Sequence, residues 1–324
     1  AELQGLPRKL PDQEKIGMRR FFAVILVLCI CGGAAFWWLT APQVTKLAFP
    51  DHRIYLANGE RMFLAGGCSS CHAAPGAKGD DKLKLGGGLE LNTPFGIFRV
   101  PNISPDPQTG IGGWNYADFL NAMRYGVSPD NQHYYPAFPF ASYARMKAGD
   151  LIDMKAYLDT LPAVSNRVAD HDLPFPFSVR RGLGLWKRLY LSHEPVVSLA
   201  ADDDQALRGQ YLVEGPGHCG ECHTPRNPIG GFRFDNWLAG APNPDGEGVI
   251  PNITPSSDGL KDWAVSDIVY YLETGFTPDF DSVGGSMVSV QDNIAKLPEE
   301  DRQAIAAYLK AVAALPNGYK KAGK

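Results

Sequence analysis

Two short stretches of the chain place two cysteines and a histidine at a spacing that suits covalent haem attachment. Each reads Cys-x-x-Cys-His, and the residues are Cys68, Cys71 and His72 in the first stretch and Cys219, Cys222 and His223 in the second. Two thiols one helical turn apart can add to the two vinyl groups of one haem, and the adjacent imidazole can then ligate the iron. A reducible cysteine pair or half of a zinc site would leave the trailing histidines unexplained. The sequence therefore predicts two covalently attached haem c groups.

The overall composition argues against one class of partner. The chain has 324 residues and a formal net charge of −4, so it carries no excess positive charge for binding nucleic acid. Its length allows two domains of ordinary size in addition to an anchor. Four of the six cysteines lie in the two motifs, and the other two, Cys29 and Cys31, lie in a hydrophobic run near the N-terminus. The cysteines therefore indicate haem attachment rather than a framework of disulfides.

The hydrophobic run from Phe21 to Leu39 has the length and composition of a membrane-spanning helix. It contains nineteen residues without a charged side chain. At about 1.5 Å per residue it extends roughly 28 Å, close to the thickness of the hydrocarbon core of a bilayer. Trp37 and Trp38 lie at its end, where aromatic side chains favour the membrane interface. The sequence predicts an uncleaved single span over residues 21–39, and a cleaved signal peptide is the alternative.

Positive charges at one end of this span predict its orientation. Arg19 and Arg20 precede the span directly, and Lys15 lies nearby. Such residues stay on the cytoplasmic side of a membrane. Residues 1–20 are therefore expected to form a cytoplasmic tail of a bacterial inner-membrane protein. Everything after Thr40 is expected to face the periplasm, where haem is attached to such motifs.

The chain beyond the span is an internal duplication. The second attachment motif follows the first after 151 residues, and further residues recur at offsets of 149 to 151. The pairs include Val100–Pro105 with Ile250–Pro255, Trp114 with Trp263, Gly126 with Gly275, and Tyr157 with Tyr308. Near-constant offsets indicate two copies of one fold, each with its own haem. We predict a first copy at residues 50–161, a linker at 162–203 and a second copy at 204–315. The basic and aromatic run from Arg180 to Tyr190 is expected to pack between the copies, with docking on the membrane or on a partner as the alternative.

Each copy is predicted to be mainly helical. One helix precedes the attachment motif, a second follows the repeated tryptophan, and a third closes the copy. The expected ranges are about 54–66, 115–125 and 151–161 in the first copy and about 204–215, 264–274 and 298–312 in the second. Apolar residues at helical spacing, such as Ile305, Tyr308, Leu309 and Val312, support the closing helix. The segments Gly86–Pro101 and Gly240–Pro251 are rich in glycine and proline, and we expect loops there that wrap a flat cofactor.

Several loop motifs resemble one known family. The first copy contains Gly66-Gly-Cys-Ser-Ser-Cys-His72, Asn102-Ile-Ser-Pro105 and Tyr135-Pro-Ala-Phe-Pro-Phe140, and the second contains His218-Cys-Gly-Glu-Cys-His-Thr-Pro-Arg226 and Gly284-Gly-Ser-Met287. These motifs resemble the membrane-bound multihaem cytochrome c subunits that serve periplasmic alcohol, gluconate and aldehyde dehydrogenases. The resemblance implies a mainly α fold, with an N-terminal transmembrane helix followed by two tandem class I cytochrome c domains. Family members often carry three haems and a C-terminal membrane helix, whereas this chain has motifs for two haems and an N-terminal span.

Met287 is the predicted sixth iron ligand in the second copy. It lies in Gly-Gly-Ser-Met, ten residues before Leu297, where the closing helix begins. A class I cytochrome offers its thioether sulfur from this loop. The neighbouring glycines argue against a position in a packed helix.

The sixth ligand in the first copy is open among three alternatives. The family often has a methionine where Phe138 stands here, and a phenyl ring cannot ligate iron. His133 is one candidate because it lies near the place that corresponds to Met287, and Met146 is another. The third alternative is an open or water-bound position. Because thioether ligation raises the potential of a haem, the order of electron flow depends on this choice.

These motifs predict a protein that relays single electrons and has no substrate chemistry of its own. By resemblance, the donor is a periplasmic dehydrogenase, and the acceptor is membrane quinone, another cytochrome or a terminal oxidase. Membrane lipid surrounds the predicted span. Two other classes stay open: an integral cytochrome c subunit of a terminal oxidase or photosynthetic complex, and a dihaem peroxidase, which needs one open iron.

Overall fold

The computed structural model describes residues 12–44, 52–199, 202–243 and 248–319, with side chains from residue 16 onward. It divides into two compact units, Ala1–Ala41 and Pro42–Lys324, which are described separately. Helix α1 (Asp12–Leu39) makes up the first unit. Its apolar part, Ile16–Leu39, has 24 residues and a mean hydropathy of 2.3. The predicted helix over residues 21–39 is thus confirmed, and its length and composition suffice for crossing a membrane.

In the second unit, the first copy consists of short helices and one hairpin. Its elements are α2 (Leu56–Ala65), α3 (Cys68–His72), a 3-10 helix (Gly79–Leu83), β1 (Glu90–Thr93), β2 (Gly96–Arg99), α4 (Tyr116–Tyr125), α5 (Phe140–Tyr143) and α6 (Ala148–Leu158). Helices α2 and α6 cross closely at Gly59, where a Cβ would lie 2.1 Å from the carbonyl oxygen of Asp153. Only glycine permits this approach of two backbones.

A 3-10 turn (Arg180–Gly182) and helix α7 (Leu183–Tyr190) follow, and the second copy then repeats the pattern. Its elements are α8 (Asp204–Glu214), α9 (Gly220–His223), a 3-10 helix (Phe234–Asn236), β3 (Ala241–Pro242), β4 (Val249–Ile250), α10 (Val265–Thr274), α11 (Met287–Ile294) and α12 (Glu299–Ala311). Helices α8 and α12 cross at Gly209, where a Cβ would lie 1.8 Å from the carbonyl oxygen of Ala304. Gly209 therefore permits the close approach of two helices in the second copy, as Gly59 does in the first. All six predicted helices are confirmed, with ends shifted by a few residues.

The two segments that were expected to be loops contain short antiparallel hairpins instead. In the first copy, β1 pairs with β2 so that Leu91 lies opposite Phe98. In the second copy, β3 pairs with β4 and Ala241 lies opposite Ile250. The sequence predicted loops here but not these hairpins, because strands of two to four residues are too short to show an alternating pattern.

The copies share one hydrophobic core. The largest cluster of buried side chains includes Met62, Leu120 and Leu151 from the first copy and Leu212, Ile268 and Tyr308 from the second. Burial of such side chains stabilises each by about 1.5–3 kcal/mol relative to an exposed position. Because the cluster is continuous, the copies stabilise each other rather than folding around separate centres.

Reciprocal polar contacts also join the copies. Arg61 of α2 donates to Asp301 of α12, and Arg208 donates to the same carboxylate with 2.9 Å between Nε and Oδ1. In the opposite direction, the Tyr211 hydroxyl of α8 donates to Asp150 of α6. Arg61 corresponds to Tyr211, and Asp150 corresponds to Asp301, at offsets of 150 and 151. The copies therefore contact each other through equivalent positions, as in a pseudo-twofold arrangement.

Helix α7 contacts both copies, as expected for the run from Arg180 to Tyr190. The Lys187 ammonium lies 2.6 Å from the carbonyl oxygen of Tyr125 in the first copy. The Trp186 indole donates to the carbonyl oxygen of Ile229 in the second copy over 3.0 Å. The linker thus packs against the end of α4 on one side and a loop after α9 on the other.

Candidate haem sites

The two attachment motifs have equivalent local structures. Cys68, Cys71 and His72 lie on the single turn of α3, and Cys219 precedes the single turn that carries Cys222 and His223. A residue with positive φ precedes each motif, Gly67 at 55° and His218 at 40°. A histidine rarely adopts this conformation, whereas glycine does so freely. The helical turn brings both cysteines and the histidine of each motif together, as the spacing predicts.

Each motif histidine is held by a proline carbonyl. Nδ1 of His72 lies 2.8 Å from the carbonyl oxygen of Pro101, and Nδ1 of His223 lies 2.8 Å from that of Pro251. Because a carbonyl oxygen only accepts, Nδ1 carries the proton and Nε2 keeps its lone pair. Burial lowers the pKa of His72 to about 4 and also lowers the pKa of His223, so both rings are neutral near pH 7. Within the described residues, neither Nε2 has a hydrogen-bond partner.

These donor sets fit a haem c. Nε2 of a neutral imidazole is a good iron ligand, and a hydrogen bond at Nδ1 fixes its orientation. Burial raises the pKa values of Cys68 and Cys219 to about 12, so both sulfurs are thiols at neutral pH. In the described part of the chain, no group of three or more His, Cys, Asp or Glu side chains could hold a metal ion. The motifs therefore lack the further ligands that a zinc site needs.

The sequence interpretation did not assign a role to Pro101 and Pro251, and their carbonyl groups are the main new feature of the sites. The following asparagine holds each segment in place. The Asn102 amide donates to the carbonyl oxygen of Val164 over 2.7 Å, and the Asn252 amide donates to that of Leu315 over 2.9 Å. Recurrence of Pro-Asn-Ile at an offset of 150 was the available signal. The recurrence indicated that both copies need these residues. It did not indicate that the proline carbonyl oxygen holds the motif histidine.

Met287 lies where the loop after α10 enters α11. It is the first residue of that helix and is half-buried. Gly285, with φ of 60°, allows the chain to turn just before it. The position at the end of a glycine-containing turn is compatible with the predicted role as a thioether ligand, which stays a prediction.

His133 is enclosed between α4 and the linker. Its side chain is buried, with 3% of the residue exposed. Nδ1 lies 3.0 Å from Nζ of Lys187, and the same Nζ lies 2.6 Å from the carbonyl oxygens of Tyr125 and Gly126. The three neighbours match the three protons of an ammonium group, so His133 helps to fix the linker against the first copy.

Met146 lies in the shared core. Only 1% of the residue is exposed, and it belongs to the main cluster of buried side chains. Its Cγ lies 3.7 Å from the place that a Cβ on Gly215 would occupy. Met146 therefore packs against the segment that leads into the second attachment motif.

Each attachment helix contacts the other copy through equivalent hydrogen bonds. The Ser142 hydroxyl donates to Oε1 of Glu221 over 2.8 Å, and the Asn293 amide donates to the Ser70 hydroxyl over 3.0 Å. These pairs correspond at an offset of 151. The loop before the closing helix in each copy therefore rests on the attachment helix of the other copy.

Comparison with known proteins agrees with this geometry. The cytochrome c family model matches residues 56–162. A dihaem cytochrome c-type protein of Cereibacter sphaeroides is 52% identical over 301 residues, which are 92% of this chain and 100% of that protein. The fructose dehydrogenase cytochrome subunit of Gluconobacter japonicus is 35% identical, over 81% of this chain and 54% of the subunit. The gluconate 2-dehydrogenase cytochrome c subunit of Pantoea cypripedii is 34% identical, over 79% and 59%.

This chain thus spans little more than half the length of the two dehydrogenase subunits, but it matches the whole length of the dihaem protein. The resemblance to cytochrome c subunits of alcohol and gluconate dehydrogenases is confirmed. The two Cys-x-x-Cys-His motifs account for two covalent haem c groups, and haem of this kind transfers electrons. The chain therefore belongs to the dihaem members of the cytochrome c family, which are electron-transfer proteins rather than catalytic subunits.

Proposed function

We propose that this protein is a membrane-anchored dihaem cytochrome c that relays single electrons in the periplasm from a partner dehydrogenase to the respiratory chain. The observation that carries the proposal is the pair of equivalent histidines, each held at 2.8 Å by a proline carbonyl beside a cysteine pair. Two equivalent electron carriers in one compact unit suit a relay better than a catalyst.

The proposed architecture is an anchor followed by two tandem class I cytochrome c domains. Residues 21–39 would span the inner membrane, with residues 1–20 in the cytoplasm and the haem domains in the periplasm. The domains would occupy residues 50–161 and 204–315, joined by the linker at 162–203. The apolar composition of α1 and the repeated order of helices around each motif support this arrangement.

The side chains of this protein would set the distance and the potentials. A bound haem c supplies the chemistry, because its iron cycles between ferrous and ferric states. His72 and His223 would ligate iron through Nε2, and the bonds to Pro101 and Pro251 would keep both rings in one orientation. Met287 would supply the sixth ligand in the second domain. The hydrogen bonds that join each attachment helix to the other copy would keep the two carriers at a constant separation.

The partners follow from the relatives and from the anchor. Relatives are cytochrome subunits of fructose, alcohol and gluconate dehydrogenases, so we propose a periplasmic dehydrogenase as the electron donor. Membrane quinone or another cytochrome would accept the electrons. An anchor confines donor, relay and acceptor to one surface and so raises their effective concentration.

The proposal can be tested on the full chain in native membranes. After purification in a mild detergent, the sample is supplied in turn with an alcohol, fructose and gluconate, and reduction of the haems is followed by visible absorption. We expect one substrate to reduce both haems through a co-purifying dehydrogenase. A variant with Cys219→Ala and Cys222→Ala should lose half of the reducible haem. Haems that stay oxidised with every substrate, in a sample that contains a terminal oxidase or a photosynthetic complex, would contradict the proposal.

A fusion experiment tests the orientation of the anchor. Alkaline phosphatase joined after Lys324 folds only when it is exported, so the proposed topology predicts an active fusion. The same fusion to a chain with Leu26→Arg and Ile30→Arg should be inactive, since charges at the centre of the span oppose insertion. Equal activity of the two fusions would contradict the role of residues 21–39.

A further inference from the structure

Equivalent hydrogen bonds show which residues of the two copies correspond. They are found on both sides of the loop that precedes the closing helix, α6 in the first copy and α12 in the second. Before this loop, the Tyr134 amide donates to the carbonyl oxygen of Gly126, and the Val283 amide donates to that of Gly275, both over 2.7 Å. These pairs correspond at an offset of 149. The bridge between Val127 and His133 has its equivalent between Phe276 and Ser282 at the same offset.

The correspondence resumes beyond the loop. The Met146 amide donates to the carbonyl oxygen of Tyr143 over 2.9 Å, and the Leu297 amide donates to that of Ile294 over 3.0 Å. The offset is now 151. Residues 135–142 of the first copy therefore take the place of residues 284–293 of the second copy, which are longer by two.

Only one of these two segments contains a strong iron ligand. The segment in the second copy contains Met287, whereas residues 135–142 contain no methionine, histidine, cysteine or lysine. If the offset of 149 found before the loop is continued into it, Phe138 corresponds to Met287. Both hydroxyl groups of the segment are engaged elsewhere. Tyr135 donates to the carbonyl oxygen of Phe177 and Ser142 donates to Glu221, each over 2.8 Å.

The two candidate ligands from the sequence lie outside this segment. His133 corresponds to Ser282 and comes before it, and Met146 corresponds to Leu297 and comes after it. A side chain that ligates the iron must face the space that the haem fills. His133 and Met146 are instead enclosed by protein, with exposed fractions of 3% and 1%. His133 also contacts Lys187, and Met146 is part of the core.

Aromatic rings surround Phe138. Its ring centroid lies 5.6 Å from those of Tyr134 and Tyr143 and 6.5 Å from that of Phe140. Tyr143 belongs to the main cluster of buried side chains, and both Phe138 and Cys68 of the first attachment motif pack against that cluster. An apolar wall of this kind favours a neutral ligand, since an anion would lose its hydration without gaining a partner.

We propose that the iron attached at the first motif has no sixth ligand from the part of the chain that the structure describes and that this position binds a small neutral diatomic molecule, such as carbon monoxide or nitric oxide. The protein would then combine a relay haem in the second copy with a ligand-binding haem in the first. The inference goes beyond the proposed relay and rests on it only for the two covalent haems and for the assignment of Met287.

The test uses the full chain with both haems, reduced with dithionite and titrated with carbon monoxide. We expect one carbon monoxide per chain, that is, one for every two haems. The ferric protein should show a high-spin signal in electron paramagnetic resonance that accounts for half of its haem. A wild-type chain that binds no carbon monoxide, or binding that appears only after His133→Ala or Met146→Leu, would overturn the proposal.

Two substitutions at one position provide a matched comparison. Phe138→Met offers a thioether sulfur, and Phe138→Leu has similar bulk without a ligand atom. Phe138→Met should abolish the binding of carbon monoxide and double the thioether-to-iron charge-transfer absorption, whereas Phe138→Leu should keep one carbon monoxide per chain. Equal binding by the two variants would overturn the proposal. A negative result leaves haem content and substrate-driven reduction unchanged, so it is distinguishable from failure of the proposed relay.

Discussion

The two copies are nearly alike around the motif histidine and differ in the segment that precedes the closing helix. His72 and His223 make the same 2.8 Å contact with a proline carbonyl. Met287 in the second copy has only Phe138 to match it in the first. Duplication thus retained the groups that attach and orient a haem and changed the segment that would complete its coordination. The difference teaches that one fold can keep the same contacts around two attachment motifs while the segment before the closing helix changes.

The largest expected effect comes from removing one attachment site. Cys68→Ala with Cys71→Ala should leave one haem per chain, because the thioether bonds of the first motif cannot form. The pyridine haemochrome assay should show half of the haem of the wild type. Cys29→Ala with Cys31→Ala, outside both motifs, is the matched control and should leave two haems. Loss of both haems in the first variant would show that the sites are not independent.

Met287→Ala should change the optical spectrum and one of the two potentials. Loss of the thioether ligand should remove all of the thioether-to-iron charge-transfer absorption and lower one midpoint potential, because methionine sulfur favours ferrous iron. The other potential should stay nearly constant. A spectroelectrochemical titration measures both quantities. Met154→Leu, at a buried core position, should leave the spectrum intact. If about half of the absorption survives in Met287→Ala, a second methionine such as Met146 is a ligand.

Asp301→Asn should destabilise the contact between the copies. The carboxylate is fully buried and accepts hydrogen bonds from Arg61 and Arg208. Removing one partner of a buried ion pair costs about 3 kcal/mol. Urea unfolding of the holoprotein measures this change. Asp292→Asn breaks an exposed ion pair with Lys82 and should have little effect on the free energy of unfolding.

The same carboxylate should contribute to acid sensitivity. Burial alone raises the pKa of Asp301, but the hydrogen bonds from Arg61 and Arg208 outweigh burial, so that the pKa lies below the ordinary value of 3.8. The stabilisation is present above the ordinary pKa and is lost as the pH falls through the lowered one. Unfolding midpoints measured at decreasing pH should therefore fall more steeply for the wild type than for Asp301→Asn. Parallel curves would assign the acid sensitivity to other groups.

Tyr211→Phe should have the smallest effect. It removes the hydroxyl that donates to Asp150 in the reciprocal contact between the copies and that accepts from the Lys147 amide over 3.3 Å. The expected loss is about 1–2 kcal/mol, typical of two hydrogen bonds of which one is long. Tyr55→Phe, at an exposed residue, should leave the free energy of unfolding unchanged. If Tyr211→Phe costs as much as Asp301→Asn, the two reciprocal contacts are equal in strength despite their different chemistry.

Short-range patterns explain which elements the sequence could predict. The helices α2, α4, α6, α8, α10 and α12 lie where apolar residues recur at helical spacing. The attachment motifs depend only on residues within one turn. The hairpins β1–β2 and β3–β4 were missed because their strands of two to four residues are too short to show an alternating pattern.

The sequence by itself determined the two haem attachment sites, the membrane-spanning composition of α1 and the duplication, since each depends on residue types at fixed spacing. Only the tertiary structure decided which carbonyl groups orient His72 and His223, because Pro101 and Pro251 lie 28 or 29 residues away along the chain. It also decided that His133 contacts Lys187 and that Met146 lies in the core. The physical reason is that a side chain's surroundings are set by packing between distant segments, which local spacing does not encode.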